Sequence, residues 1–363
     1  MRILIVFNHP APYKVSIFNE LSKYVDLEVL FERNKAKNRP QQFYSNNDYK
    51  FKHFFLDNGY VGNEGSISNG VKNYIKKHHN DFDLIVMNGY SHLAEIKAIK
   101  WMHKNNVKFV LLINGGVVKK HELCFKKAYK ASLIRKAAYF VSPSKASNDY
   151  LVYYKAIRDN IYNYIYSNYS ESEIHSPSNE EKIQYRKKWN LPLDKKIFIN
   201  PCQFIKRKNN IQLISLFVNR DDVLLLVGQG KELKHYRKYI KENKINNVII
   251  LPYQKKNDLW ELYRASDVHI TLSKEDIFGH TVLEAFACGI PVISSSKVIS
   301  SLEYIHEGHN GYLVDINDKK SISLAMDQAD EKMKDSAIST AKNNTFEQSG
   351  KSLYEAFKKI YEK

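Results

Sequence analysis

Residues 273–293 read Ser-Lys-Glu-Asp-Ile-Phe-Gly-His-Thr-Val-Leu-Glu-Ala-Phe-Ala-Cys-Gly-Ile-Pro-Val-Ile. An apolar run at 268–272 precedes them. The order predicts a buried strand, a polar turn, a helix beginning near His280 or Thr281, and a second strand after Gly289-Ile290-Pro291. That is a parallel strand–helix–strand unit. Outward from it the same alternation continues in both directions. Strand-length apolar runs fall at 3–7, 27–31, 84–87, 109–113, 139–141, 197–200, 223–227, 248–251 and 291–293, and helix-length amphipathic stretches include 14–23, 122–137, 209–217, 233–242 and 281–287. Continuous apolar strands between helices imply parallel sheets covered on both faces, an α/β doubly wound architecture.

A chain of 363 residues, 43% of them apolar, is long enough for two such domains. The alternation breaks between about Asn160 and Leu193, where the chain turns polar and Ser170, Ser172, Ser176, Pro177 and Ser178 follow in quick succession. The expected division is an N-terminal Rossmann-like domain at 1–165, a linker at 166–190, a C-terminal Rossmann-like domain at 191–345 and a last helix at 346–363. Leu353, Phe357 and Ile360 share one face of that helix. No run approaches the roughly 18 apolar residues of a membrane span, and the opening apolar run reads as a strand rather than an export signal. Cys124, Cys202 and Cys288 are too scattered for zinc or a disulfide framework, which points to a reducing cytoplasm.

The net charge of +17 is concentrated, with +8 in residues 101–150 and +6 in 201–250. A local field of this kind implies particular anionic partners: nucleic acid, anionic lipid or a phosphorylated small molecule.

Within 273–293, a helix N-terminus offers free N–H groups and a partial positive charge, so an anion is expected against Gly279, His280 and Thr281. Glu284 falls one turn inside that helix, where a carboxylate accepts hydrogen bonds from two vicinal hydroxyls such as those of a ribose. Asp276 sits at the strand end, where ligands of open α/β sheets bind. A second block, 198–211, is a strand, a turn with three consecutive cations (Lys206, Arg207, Lys208) and a helix. Three like charges at a strand end repel one another unless an anion neutralises them, and a diphosphate would do so.

These two blocks resemble the E-x7-E region and its partner loop in retaining GT-B glycosyltransferases of the family-4 group. The resemblance implies two Rossmann-like domains facing across a cleft, the C-terminal helix packing back toward the N-terminal domain, and transfer of a hexose or N-acetylhexosamine from a nucleotide-diphosphate sugar with retained configuration. It places the catalytic set at Arg207, Lys208, Asp276, Glu275 and Glu284. In the motif register the first acid is Asp276, with Glu275 one residue off, so either carboxylate meets the donor sugar. Gln203 stands where the family has an arginine, and Arg207 is its substitute. The donor side further includes Gly228 and Gly230, Pro252 and Tyr253 beside the nucleobase, and Phe278, Gly279, His280 and Thr281. Gly228-Gln-Gly230 is not a dinucleotide fingerprint, because the third glycine is replaced by Leu233. UDP is favoured by the family's habits. Acceptor contacts are expected from His9, Pro12, Tyr13, Asn114, Gly115 and Gly116. Asp81-Phe-Asp83 lacks the context of a metal-binding D-x-D pair, and no cluster has metal-ligand spacing, so neither a metal nor a resident cofactor is expected.

The basic stretch 119–136 predicts a helix that buries Leu123, Cys124, Ala128, Ala131 and Ile134 and exposes Phe125 and Tyr129 beside Lys126 and Lys136. Exposed aromatics among lysines suit peripheral contact with anionic inner-leaflet lipid. The alternative is a solvated helix. Family analogy makes the acceptor a hydroxyl of a cell-surface glycan, a teichoic-acid or a lipid-linked oligosaccharide precursor. A GT-B epimerase or phosphorylase is a second reading, and a nucleic-acid binder a third. No nucleic-acid module signature supports the last.

Overall fold

The continuous apolar runs of the sequence become the interior strands of two parallel sheets. The computed structural model describes residues 1–37, 44, 48–62, 65–118 and 122–363. The chain divides into two units, one formed by Met1–Asn168 with Thr345–Lys363 and the other by Tyr169–Asn344.

The first unit carries β1 (Arg2–Phe7), β2 (Asp26–Phe31), β3 (Lys52–Phe55), a two-residue hairpin of β4 (Tyr60–Val61) and β5 (Gly65–Ser66), β6 (Leu84–Met87), β7 (Val110–Leu112), β8 (Tyr139–Ser142) and β9 (Ile161–Asn163). Its sheet runs β3-β2-β1-β6-β7-β8-β9, with every pairing parallel. The second unit has β10 (Ile197–Pro201), β11 (Val223–Val227), β12 (Val248–Leu251), β13 (Val268–Thr271), β14 (Val292–Ser295) and β15 (Gly311–Val314), in the order β12-β11-β10-β13-β14-β15. Leu4, Val6, Met87 and Leu111 anchor one core, and Phe198, Leu224, Leu226 and Ile270 the other. In each unit the chain starts mid-sheet and reverses its direction of travel once. That reversal opens a crevice at the carboxyl ends of the two central strands.

The last helix, Phe346–Tyr361, returns to the first unit and packs on the helix Pro12–Leu21. Gly350 makes this possible, since a Cβ there would lie 2.4 Å from the Glu20 Cβ. Leu353, Phe357 and Ile360 are buried together, and Ser349 Oγ accepts the Ser167 N–H at 3.2 Å.

The polar segment 166–190 is not a free connection. Residues from Tyr169 onward belong to the second unit, and they include the helix Asn179–Lys188. Ser178 caps that helix reciprocally with Glu181, and Arg186 is buried, donating to the Ala265 carbonyl at 2.9 Å and pairing with Asp267 at 2.7 Å. The segment reads as polar because its helix faces solvent and buries only that arginine. The basic helix also differs from its expected docking. It spans Cys124–Ile134 and buries only Ala131, Leu133 and Ile134; Leu123, Cys124 and Ala128 are exposed. Residues 119–121 lie outside the described residues. Phe125 and Tyr129 are 67% and 47% exposed, beside an exposed Lys126 and a half-buried Lys136. Among the described residues no helix is long and apolar enough to cross a membrane.

Candidate functional site

In the second unit, β10 and β13 are hydrogen-bonded neighbours, with Phe198 opposite Val268 and Ile199 opposite His269. The strand order reverses between them, so the loops that leave their carboxyl ends meet at the switch point. One loop carries the three cations and the other the acidic motif. The Lys274 N–H donates to the Arg207 carbonyl at 2.9 Å, and the Arg207 guanidinium donates to the Glu275 carbonyl. Lys208 Nζ reaches Asp276 Oδ2 at 2.5 Å, and Arg207 lies 3.5 Å from the other carboxylate oxygen.

The side chains of Lys208 and Asp276 are only 11% and 15% exposed. Burial alone would push the Asp276 carboxyl up. The charge and hydrogen bond of Lys208, the charge of Arg207 and the Phe278 N–H outweigh burial and hold it below the usual carboxylate range. Beneath the pair, His269 is fully buried and pushed down to about 3 by burial and the Lys208 charge, so it is neutral. Asp276 therefore supplies, from within the chain, part of the anion that the cation turn requires.

The turn between β13 and the helix Thr281–Ala287 is fastened to residues 297–300. Asp276 N–H donates to the Lys297 carbonyl at 3.0 Å, Ser300 N–H to Phe278 at 2.8 Å, and the Ser300 hydroxyl to the Gly279 carbonyl at 2.8 Å. Gly279 has φ +92°, and a Cβ there would meet Val298 Cγ1 at 2.5 Å. Glycine is thus demanded by both conformation and space. Phe278, expected to contact the donor, is 4% exposed and packs against His280 and Tyr304. Its side chain pins the turn and is not presented to a ligand.

Glu284 lies one turn into the helix, as its spacing predicted. The fully buried Tyr263 hydroxyl is 3.0 Å from Glu284 Oε2. No motif in the sequence points to Tyr263, although a buried phenol needs a partner. Burial and the Glu284 charge push this phenol well above its ordinary value, so it stays a donor. Gln203, Gly228 to Gly230 and Pro252 with Tyr253 follow β10, β11 and β12 respectively, on the same rim, and Gln203 and Tyr253 are exposed. The glycines have a reason of their own. A Cβ on Gly228 would lie 2.0 Å from the Cys202 carbonyl oxygen, and one on Gly230 2.4 Å from that of Phe204. Both allow close packing against residues 202–204.

A cavity of about 450 Å³ lies beside the cation turn, lined by residues including Lys206, Asn209, Tyr236, Tyr239 and Lys274. Its lining omits Arg207, Lys208, Asp276 and Glu284.

On the carboxyl rim of the first unit, His9 is 6% exposed and its Nδ1 is 3.1 Å from the Tyr44 hydroxyl. Tyr13 packs edge-on against Tyr166. Asn114 Oδ1 accepts from Lys14 Nζ at 2.6 Å. Lys14 was not singled out from sequence, yet it is buried, with the Tyr164 hydroxyl at 3.2 Å and the Tyr166 ring at 4.2 Å as further neighbours. Burial lowers its pKa well below the ordinary lysine value. Gly116 is required by the Tyr150 ring, 2.5 Å from where its Cβ would be, while Gly115 has φ +139°.

Residues 181–344 match the family described as Glycosyl transferases group 1. Over 182 residues the chain is 30% identical to N-acetyl-alpha-D-glucosaminyl L-malate synthase of Bacillus anthracis, covering 49% of this chain and 46% of that protein. It is 24% identical over 234 residues to the O-antigen biosynthesis glycosyltransferase WclY of Escherichia coli, covering 61% and 63%. The chain spans about half the length of the curated relatives it matches. Among solved structures, a glycosyltransferase from Rickettsia africae superposes with TM-score 0.73 at 21% identity, covering 99% of this chain and 97% of that one. Anabaena Alr3699/HepE in complex with UDP superposes with TM-score 0.71 at 19% identity, covering 100% and 99%. The chain has the GT-B fold, its second unit carries the group 1 glycosyltransferase pattern, and its relatives include bacterial glycosyltransferases.

Proposed function

We propose that this protein is a retaining glycosyltransferase that moves a hexose or N-acetylhexosamine from a nucleotide-diphosphate sugar to a hydroxyl of a cell-surface glycan, a teichoic-acid or a lipid-linked oligosaccharide precursor. The observation that carries the reading is the convergence of Arg207, Lys208, Asp276 and the Glu284 helix at the switch point of a unit matching the group 1 family. A UDP-linked donor is favoured by relatives named for N-acetylglucosamine transfer and by the neighbour solved with UDP.

In this reading Lys208 and Arg207 exchange part of their contact with Asp276 for the donor's diphosphate. Negative charge develops on that diphosphate as the C1–O bond breaks, and two fixed cations with the amides of Gly279 to Thr281 stabilise it there. Glu284, steadied by Tyr263, holds the ribose hydroxyls. The Asp276 carboxylate is engaged by the two cations, whereas Glu275 has no ion pair among the described residues. Glu275 is therefore the better candidate for the sugar hydroxyls. By family resemblance the acceptor oxygen bonds to C1 on the face the diphosphate leaves, and the acceptor proton passes to a departing phosphate oxygen. Donor binding needs no resident cofactor in this scheme. The exposed Phe125 and Tyr129, with Lys126 and Lys136, would hold the enzyme at anionic lipid on the cytoplasmic face.

The deciding experiment is a thermal-shift and turnover screen of nucleotide sugars. A donor present at 100 times its dissociation constant should stabilise the protein by about 2.7 kcal/mol. Absence of stabilisation by every UDP-, GDP- and ADP-sugar would reject the assignment.

A further inference from the structure

We propose that Glu32, His92 and Glu95, in the first unit, hold a divalent transition-metal ion. Glu32 directly follows β2, and His92 and Glu95 open the helix Leu93–Lys104, which comes after β6. All three thus stand at the carboxyl rim of the parallel sheet, where open α/β folds place ligands. Each offers a ligand atom, and these atoms lie within 4.8 Å of one another. Donors on one tetrahedral ion, at about 2.0–2.2 Å from it, lie roughly 3.3–3.6 Å apart. Binding an ion would draw the three atoms closer together.

One feature marks this as more than a chance cluster of acids. Glu32 is 1% exposed, and among the described residues neither of its carboxylate oxygens has a hydrogen-bond partner. A buried carboxylate without a partner is costly, and a cation or a proton is what relieves it. Glu95 is already oriented. Its Oε2 accepts the His92 N–H at 2.9 Å, which leaves Oε1 3.7 Å from His92 Nδ1, near the separation of two ligands on one ion. The same bond is half of the helix's capping box, and it holds the carboxylate in one orientation, as a metal ligand requires. Gly89, at φ +131°, leaves room for that oxygen, because a Cβ there would come 2.7 Å from Glu95 Oε1.

Arg33 is buried next door and its charge acts on Glu32, but its guanidinium lies 4.4 Å from the Tyr60 ring and donates no hydrogen bond to the Glu32 carboxylate. Two carboxylates and an imidazole suit Zn²⁺, Mn²⁺, Fe²⁺ or Co²⁺ better than Ca²⁺. Three protein ligands leave a fourth position for an oxygen of water or of a bound hydroxyl or carboxylate compound. The inference is independent of the glycosyltransferase reading, and it runs against the sequence-based expectation that no metal is held.

The test is calorimetric titration of the chelator-treated full chain with ZnCl₂ and, separately, MnCl₂. One ion per chain is expected, with affinity lowered at least about tenfold in Glu32→Gln and in Glu95→Gln, as for weakening a ligand or its support. His92→Ala, at a partly exposed side chain, decides the matter if the buried variants fail to fold. Co²⁺ absorption in the visible range reports imidazole and carboxylate ligation without any assay of activity. Failure of the wild type to bind one ion overturns the proposal and leaves a shared proton as the reason for the pair. Equal binding by wild type, Glu32→Gln and His92→Ala also overturns it, since uptake would then come from other histidines.

Discussion

Lys208 Nζ and Asp276 Oδ2, 68 residues apart in sequence, lie 2.5 Å apart where the loops after β10 and β13 meet. Neither side chain is more than 15% exposed. This ion pair joins the two blocks of sequence that carry the proposed chemistry, and each prediction about donor handling starts from it.

Lys208→Ala should lower sugar transfer by about 10²-fold or more, the cost of losing one preorganised donor to a developing anion. Arg207 stays near Asp276, so the second unit should still fold. Steady-state turnover measured beside a melting curve checks this; normal turnover in a folded variant would remove Lys208 from the machinery.

Asp276→Asn should separate binding from chemistry. Relieved of its internal counter-charge, Lys208 would bind a free nucleoside diphosphate at least as tightly as in the wild type while transfer falls. Calorimetry with UDP alongside kcat is the measurement, and weaker UDP binding would contradict the exchange of Asp276 for phosphate.

The same residue gives a pH signature. The folded carboxyl titrates below its unfolded value of about 3.9, so its stabilising contribution is complete above that value and disappears as pH falls through the lower folded value. The difference in melting temperature between wild type and Asp276→Asn should therefore shrink as pH drops from about 5 toward 2. A difference that stays constant over that range would show that the pair is not titrating as described.

Tyr263→Phe deletes only the phenolic hydroxyl, which is 3.0 Å from Glu284 Oε2 and 3.3 Å from the Thr281 carbonyl. A hydrogen bond to a charged group contributes about 1.5–3 kcal/mol. Donor KM should rise roughly tenfold with kcat much less affected, because Tyr263 positions Glu284 and does not touch the reacting atoms. An unchanged KM would mean that Glu284 needs no such support.

Gly228→Ala should prevent stable folding of the second unit, since the new Cβ would sit 2.0 Å from a backbone carbonyl at φ +151°. Limited proteolysis and circular dichroism would detect this. A variant as stable as the wild type would return Gly228 to a ligand-facing role.

Interior strands were legible in the sequence because they are buried on both faces and read as continuous apolar runs. Val223–Val227 is one such run, buried at every position. Besides the short β4–β5 hairpin, the strands that escaped notice are β3, β9 and β15, each at the edge of a large sheet and each with mixed exposure. An edge strand lacks a neighbour on one side, so its residues need not be uniformly apolar. The linker reading failed for a related reason: a helix that buries one arginine and otherwise faces water has the composition of a loop.

By itself the sequence determined the parallel α/β class, the place of the acidic and basic blocks at strand ends, and the demand of three adjacent cations for an anion. Local patterning suffices there, because periodicity, turn chemistry and charge are properties of neighbouring residues. Only the tertiary structure decided that Asp276 is the internal partner of Lys208, that Tyr263 stands behind Glu284, that Gly228 and Gly230 serve packing, and that Glu32 meets His92 and Glu95. Those outcomes depend on which strands lie side by side, and sheet order brings together residues whose separation along the chain carries no trace of their proximity.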